Sequence, residues 1–223
     1  MQKNDTAVIE IIDIGVNGEG IGKVGGYTLF VKDAVIGDQV EVKVMKAKKN
    51  YGYAKLMRIL EASVYRTEPR CRYARQCGGC QIQEMAYGRQ LVFKEQKVRE
   101  DLERIGGVDK MILDKVMEPI AGMEQPFGYR NKAQFPFGTD KSGEPYAGFY
   151  AGRTHDIIAN TDCALGVPVN RTILEIILDF MKKNGIRAYN EKTGDGLIRH
   201  LLIRYAVATD ESMVCLVISG GEI

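Results

Sequence analysis

"CRYARQCGGC", Cys71 to Cys80, sets three cysteines within ten residues. The spacing is C-x5-C-x2-C, both inner positions of the CxxC are glycine, and Arg72 and Arg75 lie between the thiols. The stretch also divides the chain, with β patterning before it and a helical period after it. The five cysteines are odd in number and three are crowded together, so metal binding is a better reading than a disulfide framework. Three thiolates need a fourth ligand for a tetrahedral sulfur site. Cys215, inside "VCLVIS", reads as a buried strand position where a free cysteine acts as a small hydrophobe. Cys163 lies in the polar loop "NTDCALG", from which a side chain can reach a site, and completes the expected set Cys71, Cys77, Cys80 and Cys163. His155 is the nearby rival, and a mixed sulfur–nitrogen site would suit zinc. Four thiolates suit zinc or an iron–sulfur cluster in ligand chemistry, and the spacing leaves both open.

The chain has 223 residues, 45% of them hydrophobic, enough for one large domain or two ordinary ones. No apolar run approaches the roughly 20 residues that span a bilayer. The opening "MQKNDTAVIE" has no apolar core ahead of a cleavage site. A cytoplasmic location, where thiols stay reduced, and no membrane partner are therefore expected. The net charge of +2 conceals an uneven distribution. From Lys43 to Arg75 there are ten Lys or Arg against two acids, Glu61 and Glu68, with Tyr51, Tyr53, Tyr65 and Tyr73 interleaved. Cations that meet phosphates beside rings that stack on bases form a nucleic-acid signature. The competing reading is a solvated face with ordinary core tyrosines.

The first sixty residues read as short strands, "AVIEIIDIG", "YTLFVK", "QVEVKVMKAKK" and "YAKLMRILEA", punctuated by glycines, which predicts a small barrel. Gly20 to Gly25 matches G-x-G-x-x-G, but a strand pattern follows where a dinucleotide site needs a helix, so it reads as a β-turn. After Cys80 the period changes: Leu91, Val98, Leu102 and Ile105 share one face of a packing helix that Gly106-Gly107 can end. Strands return in "FGYRNKAQFPFG", "PYAGFYA" and "THDIIA". A second helix starts with Asn170 as N-cap, buries Ile173, Ile176, Ile177 and Phe180, and stops at Gly185. "RHLLIRYAV" and "SMVCLVIS" close the pattern as a hairpin.

"CRYARQCGGC" with the later "TDC", the barrel segment "DIGVNGEGIGKVGGYTLFVKDAVIGDQVEV", and "FGYRNKAQFP", "GFYAGRTHDI" and "GLIRHLLIRYA", in that order, resemble the bacterial RNA (uracil-5-)-methyltransferases that make 5-methyluridine in 23S ribosomal RNA. The resemblance implies an α+β protein: a five-stranded OB-like TRAM barrel over residues 1–62, then a mixed α/β central domain over 63–223 with an antiparallel sheet. It implies a 4Fe–4S cluster on Cys71, Cys77, Cys80 and Cys163, structural rather than redox-active, and arginines facing RNA. It also implies that S-adenosylmethionine and the catalytic cysteine that adds to C6 of uracil belong to a further domain beyond "ISGGEI". The expectation is thus an RNA-recognition half, inactive alone, monomeric, with no catalytic or cofactor-binding residue assigned here. The alternative is a non-catalytic RNA-binding protein with a structural zinc or iron–sulfur site.

RNA contacts are expected from Lys46, Lys48, Lys49, Lys55 and Arg58 on the barrel, as a sequence-independent electrostatic grip. Arg130 and Lys132 in "YRNKAQ" share a strand face, and Arg153 and His155 in "AGRTHD" are candidates to join it, with Arg153 alternatively capping a turn.

Overall fold

Alternation of buried apolar and outward-facing residues builds the strands of the first sixty residues. In the computed structural model, which describes residues 1–220, the barrel strands are β1 (Thr6–Ile14), β2 (Gly20–Val24), β3 (Tyr27–Lys32), β4 (Gln39–Ala47) and β5 (Tyr51–Glu61). They close in the order β1-β2-β3-β5-β4, with β4 pairing back to β1. Only the β3–β5 pairing is parallel among these strands. Leu29 and Val31 on β3 and Val40, Val42 and Val44 on β4 point inward and are fully buried. Each such side chain contributes about 1.5–3 kcal/mol relative to exposure. The G-x-G-x-x-G segment is β2 followed by a two-residue turn. Gly25 and Gly26 have φ of +53° and +84°, the positive pair that a tight hairpin requires, and β3 follows directly.

One polar knot fastens the barrel to the segment after it. Asp38, wholly buried, accepts from the Val35 N–H at 2.7 Å and the Ser63 N–H at 2.9 Å. Arg66 meets its carboxylate through Nη2 at 2.6 Å and Nε at 3.0 Å. The same guanidinium reaches Glu84 through Nη1 at 2.5 Å and the Asp33 carbonyl through Nη2 at 2.9 Å. Burial alone would lower the Arg66 pKa, but the bonds and charges of Asp38 and Glu84 outweigh it and hold the group above its ordinary value.

The chain forms two compact units, Met1–Pro69 with Gln81–Met123, and Arg70–Cys80 with the chain from Glu124 onward. A cut after residue 62 isolates the barrel strands; the first unit extends past it to include α1 (Tyr87–Arg104) and α2 (Lys110–Val116). The expected packing face of α1 is not covered. Val98, Leu102 and Ile105 are 54%, 39% and 83% exposed, and no residue of the helix is fully buried. The helix is held instead through Phe93, packed against Ile14, Val35 and Met85, and by polar ties: the Gln90 amide donates to the Met85 carbonyl at 2.9 Å, and Glu95 accepts from the Ile120 N–H at 2.8 Å.

The second unit is a five-stranded antiparallel sheet, in the order β10-β9-β6-β7-β8, made of β6 (Lys132–Thr139), β7 (Pro145–Tyr150), β8 (Ile157–Ala159), β9 (Ile198–Ala206) and β10 (Glu211–Ile218). Helix α3 (Val169–Lys183) connects β8 at one edge to β9 and packs its apolar side on the sheet. Its core partners include Phe135, Phe137, Leu201 and Ile203. Two expectations for α3 are corrected. Its cap is Pro168, and Asn170 is a buried residue of the first turn. Ile173 and Ile177 of the expected stripe pack, partly buried, against the core, whereas Ile176 and Phe180 are exposed; the buried positions are Asn170, Leu174 and Met181, because the face toward the sheet is rotated toward them. Cys215 is also corrected: it is exposed, since β10 is an edge strand open from Glu211 through Cys215.

Arg66→Ala would leave Asp38 and Glu84 buried without their countercharge. A loss of about 3–5 kcal/mol is expected in urea unfolding. A loss below about 1 kcal/mol would mean that the knot does not hold the fold.

Candidate functional site

The barrel carries these cations on the antiparallel β4–β5 pair and the turn that joins it. Lys46 lies near the end of β4, Lys48 and Lys49 in the β4–β5 turn, and Lys55 and Arg58 on β5. The turn is pinned by a residue that the sequence alone did not single out. The Tyr27 hydroxyl lies 2.8 Å from the Lys48 carbonyl and 2.5 Å from the Tyr51 carbonyl, and accepts from the Lys48 N–H at 3.2 Å. With a single proton the hydroxyl donates to one of these carbonyls at a time, and its contacts tie the turn at Lys48 and Tyr51. Arg58 is already engaged: its Nη2 is 3.2 Å from Glu41 Oε2, an exposed pair of little energetic weight.

The cysteine loop belongs to the second unit. Its first turn is closed by the Ala74 N–H on the Cys71 carbonyl at 3.0 Å and the Cys77 N–H on the Tyr73 carbonyl at 2.8 Å. The loop is fastened to the end of β7 by the Gly78 N–H on the Tyr150 carbonyl at 2.9 Å and by a bridge between Cys77 and Ala151. A Cβ at Gly78 would come within 3.1 Å of that carbonyl and 3.2 Å of Gly152, so the close approach favours glycine there. Cys163 sits in the loop between β8 and α3, which is tied back by the Gly166 N–H on the Cys163 carbonyl at 2.9 Å and the Arg130 N–H on the Leu165 carbonyl at 2.7 Å.

Burial pushes the Cys77 thiol up in pKa, the Gly79 N–H opposes this, and charge on Cys163 and Cys71 raises it further, with Arg130 working against them. The fold therefore brings Cys71, Cys77 and Cys163 into electrostatic contact from two separate loops. Gly79 also donates its N–H to the Cys77 sulfur at 3.4 Å, the kind of bond that stabilises a ligated thiolate. Cys80 is half-buried like the other three. Among the described residues no group of three or more Cys, His, Asp or Glu side chains is arranged to hold a metal ion. The donor set remains chemically suited to a sulfur-ligated group, all four thiols being half-buried and two loops converging.

Arg130 stands just before β6 and close enough to Cys77 to act on it electrostatically, while Lys132 is exposed at the start of β6, opposite Arg204. Arg153, with φ of +66°, lies in the turn after β7. His155 stacks on Tyr150 at 5.1 Å and holds Glu191 through Nδ1 at 2.9 Å. The antiparallel β6–β7 pairing sets these four residues at the same end of the sheet. The arginines of the cysteine loop lie over rings, Arg70 over Phe127 at 4.8 Å and Arg72 over Tyr73 at 4.7 Å. A cavity of about 960 Å³ opens beside them, lined by Cys71, Arg171 and Asp162 among others.

A polar group hidden in the strand pattern "RHLLIRYA" completes this end. His200 Nε2 is 3.2 Å from the Tyr150 hydroxyl. Burial, then the Arg199 charge, lowers the His200 pKa, with Glu191 opposing. Burial and then the Glu191 charge raise that of Tyr150.

Comparison with known proteins matches this geometry. The TRAM domain family matches residues 3–57, which cover the barrel through Met57 on β5. An uncharacterized RNA methyltransferase of Clostridium tetani is 41% identical over 97% of this chain and 46% of that protein. One of Bacillus cereus is 38% identical over 100% of this chain and 48% of that protein. The crystal structure of Pyrococcus abyssi tRNA (uracil-54, C5)-methyltransferase with S-adenosyl-L-homocysteine superposes with a TM-score of 0.68 at 25% identity, over 96% of this chain and 46% of that one. The chain is thus a TRAM-containing relative of the RNA methyltransferases. More narrowly, its resemblance to the RNA (uracil-5-)-methyltransferase family is supported, and it spans about half the length of the relatives it matches. Among the described residues no helix is long and apolar enough to cross a membrane.

Because the His200 pKa is depressed on folding, the unfolded chain binds that proton more readily. Its stabilising effect is complete above the unfolded value of about 6.5 and is lost as pH falls through the lower folded value. Urea midpoints measured from about pH 8 down to about pH 5 should fall, and His200→Gln should flatten that fall. An unchanged slope in the variant would remove His200 from the account.

Proposed function

We propose that this chain is the RNA-recognition half of an S-adenosylmethionine-dependent RNA methyltransferase that forms 5-methyluridine in 23S ribosomal RNA. The observation that carries the reading is the closed TRAM barrel with its pinned basic turn, joined in one chain to a sheet that aligns throughout with RNA methyltransferases. Uracil C5 as the target is supported by the resemblance of the motifs and by the printed name of the Pyrococcus abyssi structure. That same name favours a second reading, in which the target uridine lies in tRNA. Lys46, Lys48, Lys49, Lys55 and Arg58 supply phosphate contacts, and Arg130, Lys132, Arg153 and His155 offer a second set at one end of the sheet. The methyl donor and the nucleophile are assigned to the portion of such a protein outside these residues. The enzyme would work in the cytoplasm as a monomer.

Cys71, Cys77, Cys80 and Cys163 would hold a 4Fe–4S cluster, whose contribution is a cross-link between the cysteine loop and the loop before α3. The resemblance of the motifs favours a cluster over zinc, since four thiolates suit either group in ligand chemistry. Anaerobically purified protein should contain iron and acid-labile sulfide and absorb in the visible. Cys163→Ser should abolish this and Cys215→Ser should not. Stoichiometric zinc without iron would contradict the cluster.

Replacing Lys48 and Lys49 together with alanine should weaken binding to all RNAs alike. It should also reduce the slope of log K against log salt by about 1.4, the value for two phosphate contacts on single strands. Filter binding across a salt series reads both. An unchanged slope would show that the turn is not the grip.

A further inference from the structure

The outer face of the barrel carries an aromatic cluster that the lysine grip does not explain. Phe30 on β3 is directly opposite Tyr53 on β5, and Tyr51 precedes Tyr53 by two residues on the same face. Ring centroids are 5.6 Å apart for Phe30–Tyr53, 5.8 Å for Phe30–Tyr51 and 5.9 Å for Tyr51–Tyr53. Phe30 and Tyr53 incline by only 31°, whereas Tyr51 stands at 90° and 82° to them. The result is a floor of two rings with a third as a wall. Tyr51 and Tyr53 are 38% and 36% exposed although barrel residues one step along each strand are buried. These rings therefore face solvent and do not form core.

Charge borders this floor on one side. Lys55 is paired in register with Lys43 on β4 and with Lys32 on β3, which sets three cations in a row across three adjacent strands. Neighbouring strands are about 4.8 Å apart, so the row spans about 10 Å. Like charges directly opposite destabilise a sheet. The Lys43–Lys55 pairing is thus unfavourable to the barrel alone and is relieved by an anion laid along it. Lys46 is in register with Tyr53 on the other flank. A polyanion following the lysines would carry its planar groups over the rings two residues away.

We propose that Phe30, Tyr51 and Tyr53 form a stacking platform for unpaired RNA bases, with Lys32, Lys43 and Lys55 holding the adjoining phosphates. The partner class is single-stranded RNA, a loop or an opened stem. Bases inside a duplex are stacked on one another and present no free face, whereas unpaired bases stack on aromatic rings irrespective of sequence. The platform rests on the reading of this chain as RNA-binding and specifies which RNA conformation the barrel takes.

The test uses the whole chain with fluorescently labelled oligouridylate and a blunt-ended RNA duplex, read by anisotropy across a salt series. Tyr53→Leu and Phe30→Leu keep apolar bulk at exposed or half-exposed positions, and far-UV circular dichroism checks that each variant folds. Each is expected to weaken oligouridylate binding by about 5- to 150-fold with the salt slope unchanged, and to leave duplex binding within about twofold. Lys55→Gln is expected to weaken both RNAs and lower the slope by about 0.7. If folded Tyr53→Leu and Phe30→Leu bind oligouridylate as the wild type does, the platform is overturned while the electrostatic grip stands. Equal losses on both RNAs would overturn it too. Failure of the wild type to bind either RNA would contradict the underlying reading itself.

Discussion

The Arg66 guanidinium is the constraint on which the arrangement of the first unit depends. It joins three points distant in sequence: the Asp38 carboxylate, the Asp33 carbonyl and the Glu84 carboxylate. Two buried acids would each be costly without a cation, and the cation would be costly without them. Their mutual satisfaction is therefore close to all-or-none. The knot also has a topological effect. Arg66 precedes the cysteine loop and Glu84 follows it, and beside them the Thr67 N–H meets the Glu84 carbonyl and the Ala86 N–H the Tyr65 carbonyl, both at 2.8 Å. The segments on either side of residues 70–80 are therefore clamped to each other within the first unit.

The basic turn of the barrel and the cysteine loop, which belong to separate units, differ in physical character. The barrel offers cations on short, rigid strands, with the Tyr27 hydroxyl removing freedom from the Lys48–Lys49 turn. Little ordering entropy then remains to be lost when phosphates arrive. The cysteine site is instead assembled from two loops, where burial first, and then charge on Cys163 and Cys71, raises the proton affinity of Cys77. A cationic group bound there would relieve that cost. Arg130 stands on the border, an RNA candidate by sequence and a counter-charge to Cys77 by position.

Much of the barrel was legible because alternation over β1, β3 and β4 leaves one way to bury Ile9, Leu29 and Val42. The glycine pair at 25–26 was legible because only positive φ at both positions makes that turn. Misreadings occurred where long-range packing decides. The side of α3 that meets the sheet depends on β6 and β9, so of the expected stripe Ile173 and Ile177 pack on the core while Ile176 and Phe180 do not. Val214 and Leu216 made Cys215 look buried, but an edge strand can be apolar and exposed at once. The Arg66 knot and the Tyr27 anchor were invisible because their partners lie 28 and 21 residues away and carry no local pattern. The cysteine spacing suggested a ligand set, whereas the approach of Cys163 to Cys77 required the β8–α3 loop to fold.

The central claim is that the β3–β5–β4 face of the barrel receives RNA. Ultraviolet crosslinking of the chain to oligouridylate, followed by mass spectrometry of the adducted peptides, tests it most directly. Adducts are expected on Phe30, Tyr51, Tyr53 and the neighbouring Lys55. Efficient crosslinking confined to peptides outside residues 27–58 would contradict the assignment of the barrel as the RNA-binding surface.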